Sequence, residues 1–264
     1  MKILEKIIDF PNKEWGEDRI FIGNDIAGVI DGSSPINVIS IPPYHSQAEW
    51  LSDKLAKEIL LHKEERLPNI CKTITDALKG SESNILKRFN EYNSPCAVLS
   101  GVQAKKGRLY GFVIGDCTLA LQLQNGEIKI FTDKRINRFS NLTKEARMRA
   151  SLSGEDEKEA VRQQMTRNRR SMNTENGFWT VALKGEYQKQ FVECDYRIEE
   201  VKRCLLFSDG FERGIKNGLY SLSDVLKGRV SLSSALDELR KWEGSFIRSE
   251  VKKHDDVSAL LIEL

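Results

Sequence analysis

Three aspartates stand at the ends of apolar runs, where a side chain can be held rigidly and still reach solvent. The run AGVIDG, from Ala27 to Gly32, stops on Asp31 followed by a glycine. CLLFSDG, from Cys204 to Gly210, stops on Asp209, again followed by a glycine. DDVSALLIEL does the reverse, opening on Asp255 and Asp256 and then turning apolar up to Leu264. If the three ends meet, their carboxylates repel one another unless they take up protons or share cations. Carboxylate oxygens are hard ligands that suit Mg2+ or Mn2+, and no His/Cys cluster in the chain offers the softer set that zinc prefers. A glycine after the aspartate would let the backbone carbonyl face a cation and let a substrate approach closely. Asp-Gly is equally an ordinary turn signal after a strand, so each dipeptide taken alone also reads as punctuation. Periodicity says nothing of whether the three converge.

The elements that must position these residues are read from hydrophobic spacing. RIFIGNDIAGVID, 19–31, reads as two short strands around the turn dipeptide Asn24-Asp25. Ser46 and Glu49 form an S-x-x-E capping box, and Ala48, Leu51, Leu55 and Ile59 recur at helical spacing, which predicts an amphipathic helix over 47–63. Ile70, Ile74 and Leu78, then Ile85, Leu86 and Phe89, predict two more helical pieces broken near Gly80. From Cys96 the texture is that of strands: CAVLSGVQ, RLYGFVIGD, TLALQLQ and EIKIF. They are separated by Lys106-Gly107, Gly115-Asp116 and Asn125-Gly126, the last being the strongest short hairpin signal. Segment 140–177 is highly charged with weak periodicity and is expected to form short helices joined by mobile loops. Strand texture returns at FWTVAL, RCLLFS and VSALLIEL, with helical pieces near 222–227 and 234–242, the latter opened by Ser234 with Asp237. No repeat or linker divides the chain. One domain over 1–264 is expected, with strands from both ends in one interleaved sheet system.

Composition narrows the function classes. The chain has 264 residues and a mass of 30.1 kDa, with 40% hydrophobic and 30% charged residues, as expected of a soluble globular protein with ample core. A net charge of +2 gives no whole-protein case for nucleic acid as a partner. No window approaches the roughly 18 uninterrupted apolar residues of a membrane span, so no membrane partner is expected. The start, MKILEKIIDFPNKEW, carries charges inside its apolar run and is a poor signal peptide. Cys71, Cys96, Cys117, Cys194 and Cys204 are odd in number and lack a CxxC pair, which reads as reduced thiols in a cytoplasmic protein.

Taken together, GEDRIFIGNDIAGVIDG at 16–32, GFVIGDCTLAL at 111–121, LLFSDGF at 205–211 and DDVSALLI at 255–262 resemble the motifs of the metal-dependent serine/threonine protein phosphatases of type 2C. They occur in that family's order and span residues 13 to 262, in the manner of a bacterial member. The resemblance implies an α+β fold, a four-layer α/β/β/α sandwich of two antiparallel sheets flanked by helices. It implies a hydrolase that removes phosphate from phosphoserine and phosphothreonine in proteins through a water bridging two Mn2+ or Mg2+ ions. Carried over residue by residue, Asp31 would bridge the two ions, while Glu17 and the carbonyl of Gly32 complete the ligands of one. Asp209 and Asp255 would hold the other, which makes Asp31, Asp209 and Asp255 the expected catalytic acids. Asp18 would orient ion-bound waters, and Asp116 matches an aspartate that helps to hold a third, weaker ion. Lys13 would grip the substrate phosphate where the family usually has an arginine, keeping the charge but losing the bidentate fork.

The departures from the family pattern are specific. Ser33-Ser34-Pro35 replaces a glycine-rich continuation that often carries a histidine, and His45 is either its substitute or a surface residue near the first helix. Arg213 stands where an acid is common and would repel a third cation. Asp256 replaces the usual asparagine, which leaves open whether Asp255 or Asp256 is the ligand. Segment 140–177 falls where the family carries its variable flap. Its Arg162, Arg167, Arg169 and Arg170 suit an acidic or phosphorylated partner, or equally a solvated helix face. The expected partner is a phosphorylated protein substrate, with a cognate serine/threonine kinase acting against the enzyme in signalling, and the chain is expected to be a monomer. The alternative reading is a pseudophosphatase, a module that binds phosphoprotein without turnover, favoured by Lys13, Ser33-Ser34-Pro35 and Arg213.

Overall fold

Strands buried on both faces dominate the centre of the chain, and that burial decides the architecture. The computed structural model describes residues 1–11, 14–62, 64–90, 92–245 and 254–264. In chain order the strands are β1 (Lys2–Asp9), β2 (Arg19–Ile22), β3 (Ile26–Gly32), β4 (Cys96–Lys105), β5 (Arg108–Ile114), β6 (Thr118–Leu123), β7 (Ile128–Thr132), β8 (Val181–Ala182), β9 (Val192–Arg197), β10 (Val201–Phe207) and β11 (Val257–Glu263). The helices are α1 (Gln47–Ile59), α2 (Leu67–Ser81), α3 (Ser83–Leu86), α4 (Asn137–Ser153), α5 (Glu157–Arg170), α6 (Asp209–Lys216), α7 (Leu222–Leu226) and α8 (Leu232–Gly244). One sheet runs β1-β11-β10-β6-β7, the other β2-β3-β4-β5-β9 with β8 beside β4, and every pairing is antiparallel.

The two sheets pack face to face and each is covered outside by helices. In β10, Cys204 and Leu206 point into the space between the sheets with Leu260, Val98 and Val113. Their neighbours Leu205 and Phe207 point the other way, onto Phe211, Val225 and Leu239 of α6, α7 and α8. Successive side chains of a strand face opposite sides, so a strand in the middle of four layers is apolar at every position. On the other outer face Phe21, Ile30, Leu99 and Phe112 meet Trp50 and Leu55 of α1 and Ile70 and Ile74 of α2. The result is a four-layer α/β/β/α sandwich of two antiparallel sheets flanked by helices.

Several elements differ from the expectation. β1 (KILEKIID) is interrupted by charges and β9 (VECDYR) carries them at alternate positions; both lie at sheet edges, where charge is tolerated and blocks unwanted pairing. Segment 140–177 contains two long helices, α4 and α5, which start at Asn137. They bury only Phe139, Ala150 and Gln164, so their sequence carries little periodicity. They are delimited instead by Gly154 in a left-handed C-cap and by Asp156, whose side chain caps α5. FWTVAL forms only the two-residue β8, α1 ends at Ile59, and α2 runs through Gly80. α8 is capped by Ser231 rather than Ser234. Asp209 begins a helix, α6, rather than a turn. All five cysteines are free thiols, and only Cys194 is less than fully buried. Among the described residues no helix is long and apolar enough to cross a membrane.

Candidate functional site

The strand ends and their adjoining turns meet at one cavity of about 420 Å³. The approach to β2 supplies Glu17 and Asp18, and β3 ends there in Asp31 and Gly32. The β5–β6 turn brings Asp116, α6 brings its first residue Asp209, and the lead into β11 brings Asp255 and Asp256. Five separate stretches of chain therefore place seven carboxylates around one space. Lys13 lies outside the described residues, as does Asn12.

The glycines beside the aspartates serve packing between these stretches. A Cβ on Gly210 would lie 2.0 Å from the carbonyl oxygen of Asp256, so only glycine lets the start of α6 abut the lead into β11. A Cβ on Gly32 would come within 2.7 Å of both the Glu17 carbonyl oxygen and Ser52 Oγ. Close approach of one acidic segment to another thus accounts for both Asp-Gly pairs.

Serine hydroxyls and backbone amides hold the carboxylates. Glu17 accepts from Ser46 Oγ at 2.6 Å and from Ser34 Oγ at 2.5 Å, one on each oxygen. Ser46 also caps α1, accepting from the Glu49 amide at 3.1 Å, so it orients the helix and the carboxylate together. Asp18 accepts from Ser258 Oγ at 2.7 Å, and the Glu17 amide donates to Asp256 Oδ2 at 2.8 Å. Asp256 therefore braces the β2 approach against β11. Ser34 and Ser258 left no local signal, and Ser46 was legible only as a cap.

The electrostatics follow from crowding. Burial pushes Asp31 well above the usual carboxylate range, and the charges of Asp18, Asp209, Asp116 and Asp255 push it further. Asp18 is raised to about 7, first by burial, with the Ser258 hydroxyl pulling it back and Asp256 adding to the rise. Burial, partly offset by the backbone amide of Asp116 itself, raises Asp116 too, with Glu212 the strongest neighbouring charge acting on it. A buried set of hard oxygen donors short of positive charge fits a divalent cation in kind. Among the described residues no three His, Cys, Asp or Glu side chains already stand in coordinating geometry, so a cation would have to draw them together.

The α4–α5 hairpin roofs the cavity. Phe139 packs on Phe178 with ring centroids 4.9 Å apart, and Asn168 Nδ2 donates to the Phe139 carbonyl at 3.0 Å. Arg169 reaches from α5 to Cys96 Sγ at 2.7 Å and to the Ser34 carbonyl at 3.1 Å, tying the roof to the loop after Asp31. Of the other arginines singled out in this segment, Arg170 lies over Tyr92 and Arg162 pairs with Glu159 on the exposed face. His45 stacks on Trp15 at 4.6 Å and does not line the cavity. Arg213 also turns away from it, donating to Glu243 at 2.9 Å, so the expectation that it faces a third cation is not met. Glu212, its neighbour, is the residue on the Asp116 side, where it pairs with Lys216.

No protein-family profile matches the chain, and no curated protein matches it. Solved structures do. The serine/threonine phosphatase PstP/Ppp of Mycobacterium tuberculosis superposes with a TM-score of 0.59 over 98% of this chain and 97% of that one, at 13% identity. The serine/threonine phosphatase Stp1 from Staphylococcus aureus gives 0.57 over 100% and 96%, at 14% identity. The catalytic domain of the phosphatase PstP in complex with two manganese ions gives 0.59 over 98% and 96%, at 13% identity. The chain has the fold of the bacterial type 2C serine/threonine phosphatases, along its whole length.

Proposed function

We propose that this chain is a metal-dependent phosphatase that hydrolyses phosphoserine and phosphothreonine in proteins, using two Mn2+ or Mg2+ ions. The observation that carries the reading is the meeting of seven carboxylates from five chain stretches at one cavity. Similarity in fold to a phosphatase domain solved with two manganese ions supports it. In this reading Asp31, Glu17 and the Gly32 carbonyl would hold one ion, and Asp209 and Asp255, together with Asp31, would hold the other. Bound there, the ions would supply the positive charge and Lewis acidity that phosphoester hydrolysis needs.

The chain's own part is positioning. Ser34 and Ser46 hold Glu17 from two sides, Ser258 holds Asp18, and Asp256 locks the Glu17 backbone to β11. Asp256 thereby acts as a brace, which leaves Asp255 as the ligand of the pair. Phe139, Met165 and Phe178 give the cavity an apolar roof that limits the water around a bound phosphoester. The charges of Glu212 and of its partner Lys216 act on Asp116 in opposite senses, and the proposal is limited to two ions. The pseudophosphatase reading loses two of its arguments, because Arg213 points elsewhere and Ser34 supports Glu17. The proposed partner is a phosphorylated protein.

Phosphate release from phosphoserine and phosphothreonine peptides, and from p-nitrophenyl phosphate, tests the proposal. Turnover should require Mn2+ or Mg2+ and stop in excess chelator. Equal rates in chelator and in Mn2+, or no turnover by the metal-loaded chain, would overturn it.

A further inference from the structure

A carboxylate with no access to solvent lies outside the cavity, in the last turn of α8. Glu243 is 0% exposed, and three donors converge on it. Its Oε1 accepts from Arg213 Nη1 at 2.9 Å, while Oε2 accepts from Arg240 Nη1 at 2.6 Å and lies 2.8 Å from His254 Nδ1. Each donor belongs to, or reaches, a segment that ends at the candidate centre. Arg213 sits one turn after Asp209 in α6, and His254 immediately precedes Asp255. Arg240 also donates from Nη2 to the Asp255 carbonyl at 2.9 Å and to Asp9 Oδ2 of β1 at 2.6 Å. The guanidinium of Arg213 is further held over the Trp242 ring at 5.5 Å.

A buried carboxylate cannot give up one of its charged partners cheaply, so these segments are tied to a common point. The tie matters because the start of α6 already abuts the Asp256 carbonyl with room only for glycine, and any slip there moves Asp209 against Asp255. We infer that Glu243 is a positioning residue for the candidate centre, acting through Arg213, Arg240 and His254 to fix the spacing of Asp209 and Asp255. The inference rests on the proposal that these two aspartates share a metal ion. It accounts for an arginine at position 213: that side chain serves the hub behind the site.

The test compares Mn2+ binding to the whole chain, read from the free Mn2+ electron paramagnetic resonance signal, for wild type, Glu243→Gln and Arg240→Lys. Glu243→Gln keeps the volume but puts an amide N–H2 toward donors. Arg240→Lys keeps the charge near Glu243 and gives up the fork that reaches Asp255. Loss of an outer partner of a metal site lowers affinity about 10- to 100-fold, and a weakening of that order is expected in both variants. Turnover should recover at saturating Mn2+ with the substrate KM unchanged. A purely structural role would lower the melting point in chelator and leave the Mn2+ affinity of the folded protein where it was. That outcome overturns the inference, as does a wild-type chain that binds no Mn2+. Should Glu243→Gln not fold, Arg240→Lys decides. A wild type that binds Mn2+ but cleaves no phosphoester sinks the phosphatase proposal alone, since the binding comparison still judges Glu243.

Discussion

A carboxylate buried among other carboxylates keeps its proton to higher pH, and Asp18 and Asp31 are both in that position. In acid, below the unfolded values, both states of the chain are protonated and the two residues do not weaken the fold. As pH rises the unfolded chain ionises first, while the folded chain must hold its protons or bury unpaired charge. Stability of the metal-free protein should therefore be greatest in acid and be lost as pH climbs through the folded value of Asp18, about 7. Urea unfolding in chelator at about pH 5 and about pH 8 measures this, and greater stability at the higher pH would reverse the sign. Asp31→Asn should raise the metal-free melting point at neutral pH, because it removes the cost of either holding a proton on Asp31 or burying its charge. The same change should cut Mn2+-dependent turnover by more than the roughly 100-fold that loss of an outer partner brings. A melting point that falls, with turnover intact, would remove Asp31 from the centre.

Among the elements, α6 and β11 matter most, because the start of one and the lead into the other bring Asp209 and Asp255 to the same cavity. Gly210→Ala places a methyl 2.0 Å from a backbone oxygen, which neither segment can relieve by rotating a side chain. It should cost at least the roughly 1–3 kcal/mol of an overpacked core and weaken Mn2+ binding as well. Denaturant midpoints and metal titration report the two effects separately. Legibility in the sequence varies by element for a physical reason. β10 and β11 are buried on both faces along CLLF and ALLI, which read as apolar runs. β1 and β9 are edge strands interrupted by charged residues and do not. The α4–α5 hairpin buries three side chains, so its lengths are set by Gly154 and Asp156 rather than by an apolar stripe.

For the whole molecule, metal binding and folding should be coupled, because the unfolded chain has no gathered carboxylates. A ligand present at about one hundred times its dissociation constant stabilises by about 2.7 kcal/mol, so saturating Mn2+ should raise the unfolding free energy by that order and chelator should reverse it. Equal stability with and without Mn2+ would argue against a metal centre at the cavity. Charge is also unevenly spread. The roof segment 137–170 carries nine Lys and Arg against five Asp and Glu, although the chain as a whole is only +2.

The sequence by itself determined which strands are central, through runs such as CLLF and ALLI, and which carboxylates lie at strand ends. The four-layer sandwich was implied by the resemblance of the motifs, in their order, to the type 2C phosphatases. The hydrophobic runs by themselves gave only the alternation of strand and helix texture that agrees with it. Only the tertiary structure decided that Asp31, Asp209 and Asp255 line a common cavity, and which side chains hold them there. Glu17 and Asp256 are 239 residues apart and Ser258 reaches Asp18 across 240, distances at which no local pattern operates. The same holds for Arg213. The family resemblance put it beside a cation site, and the packing of α8 against α6 turned it to Glu243 instead. A hydrogen bond made across the fold depends on where two backbones cross, and that is settled by the packing of whole sheets and helices.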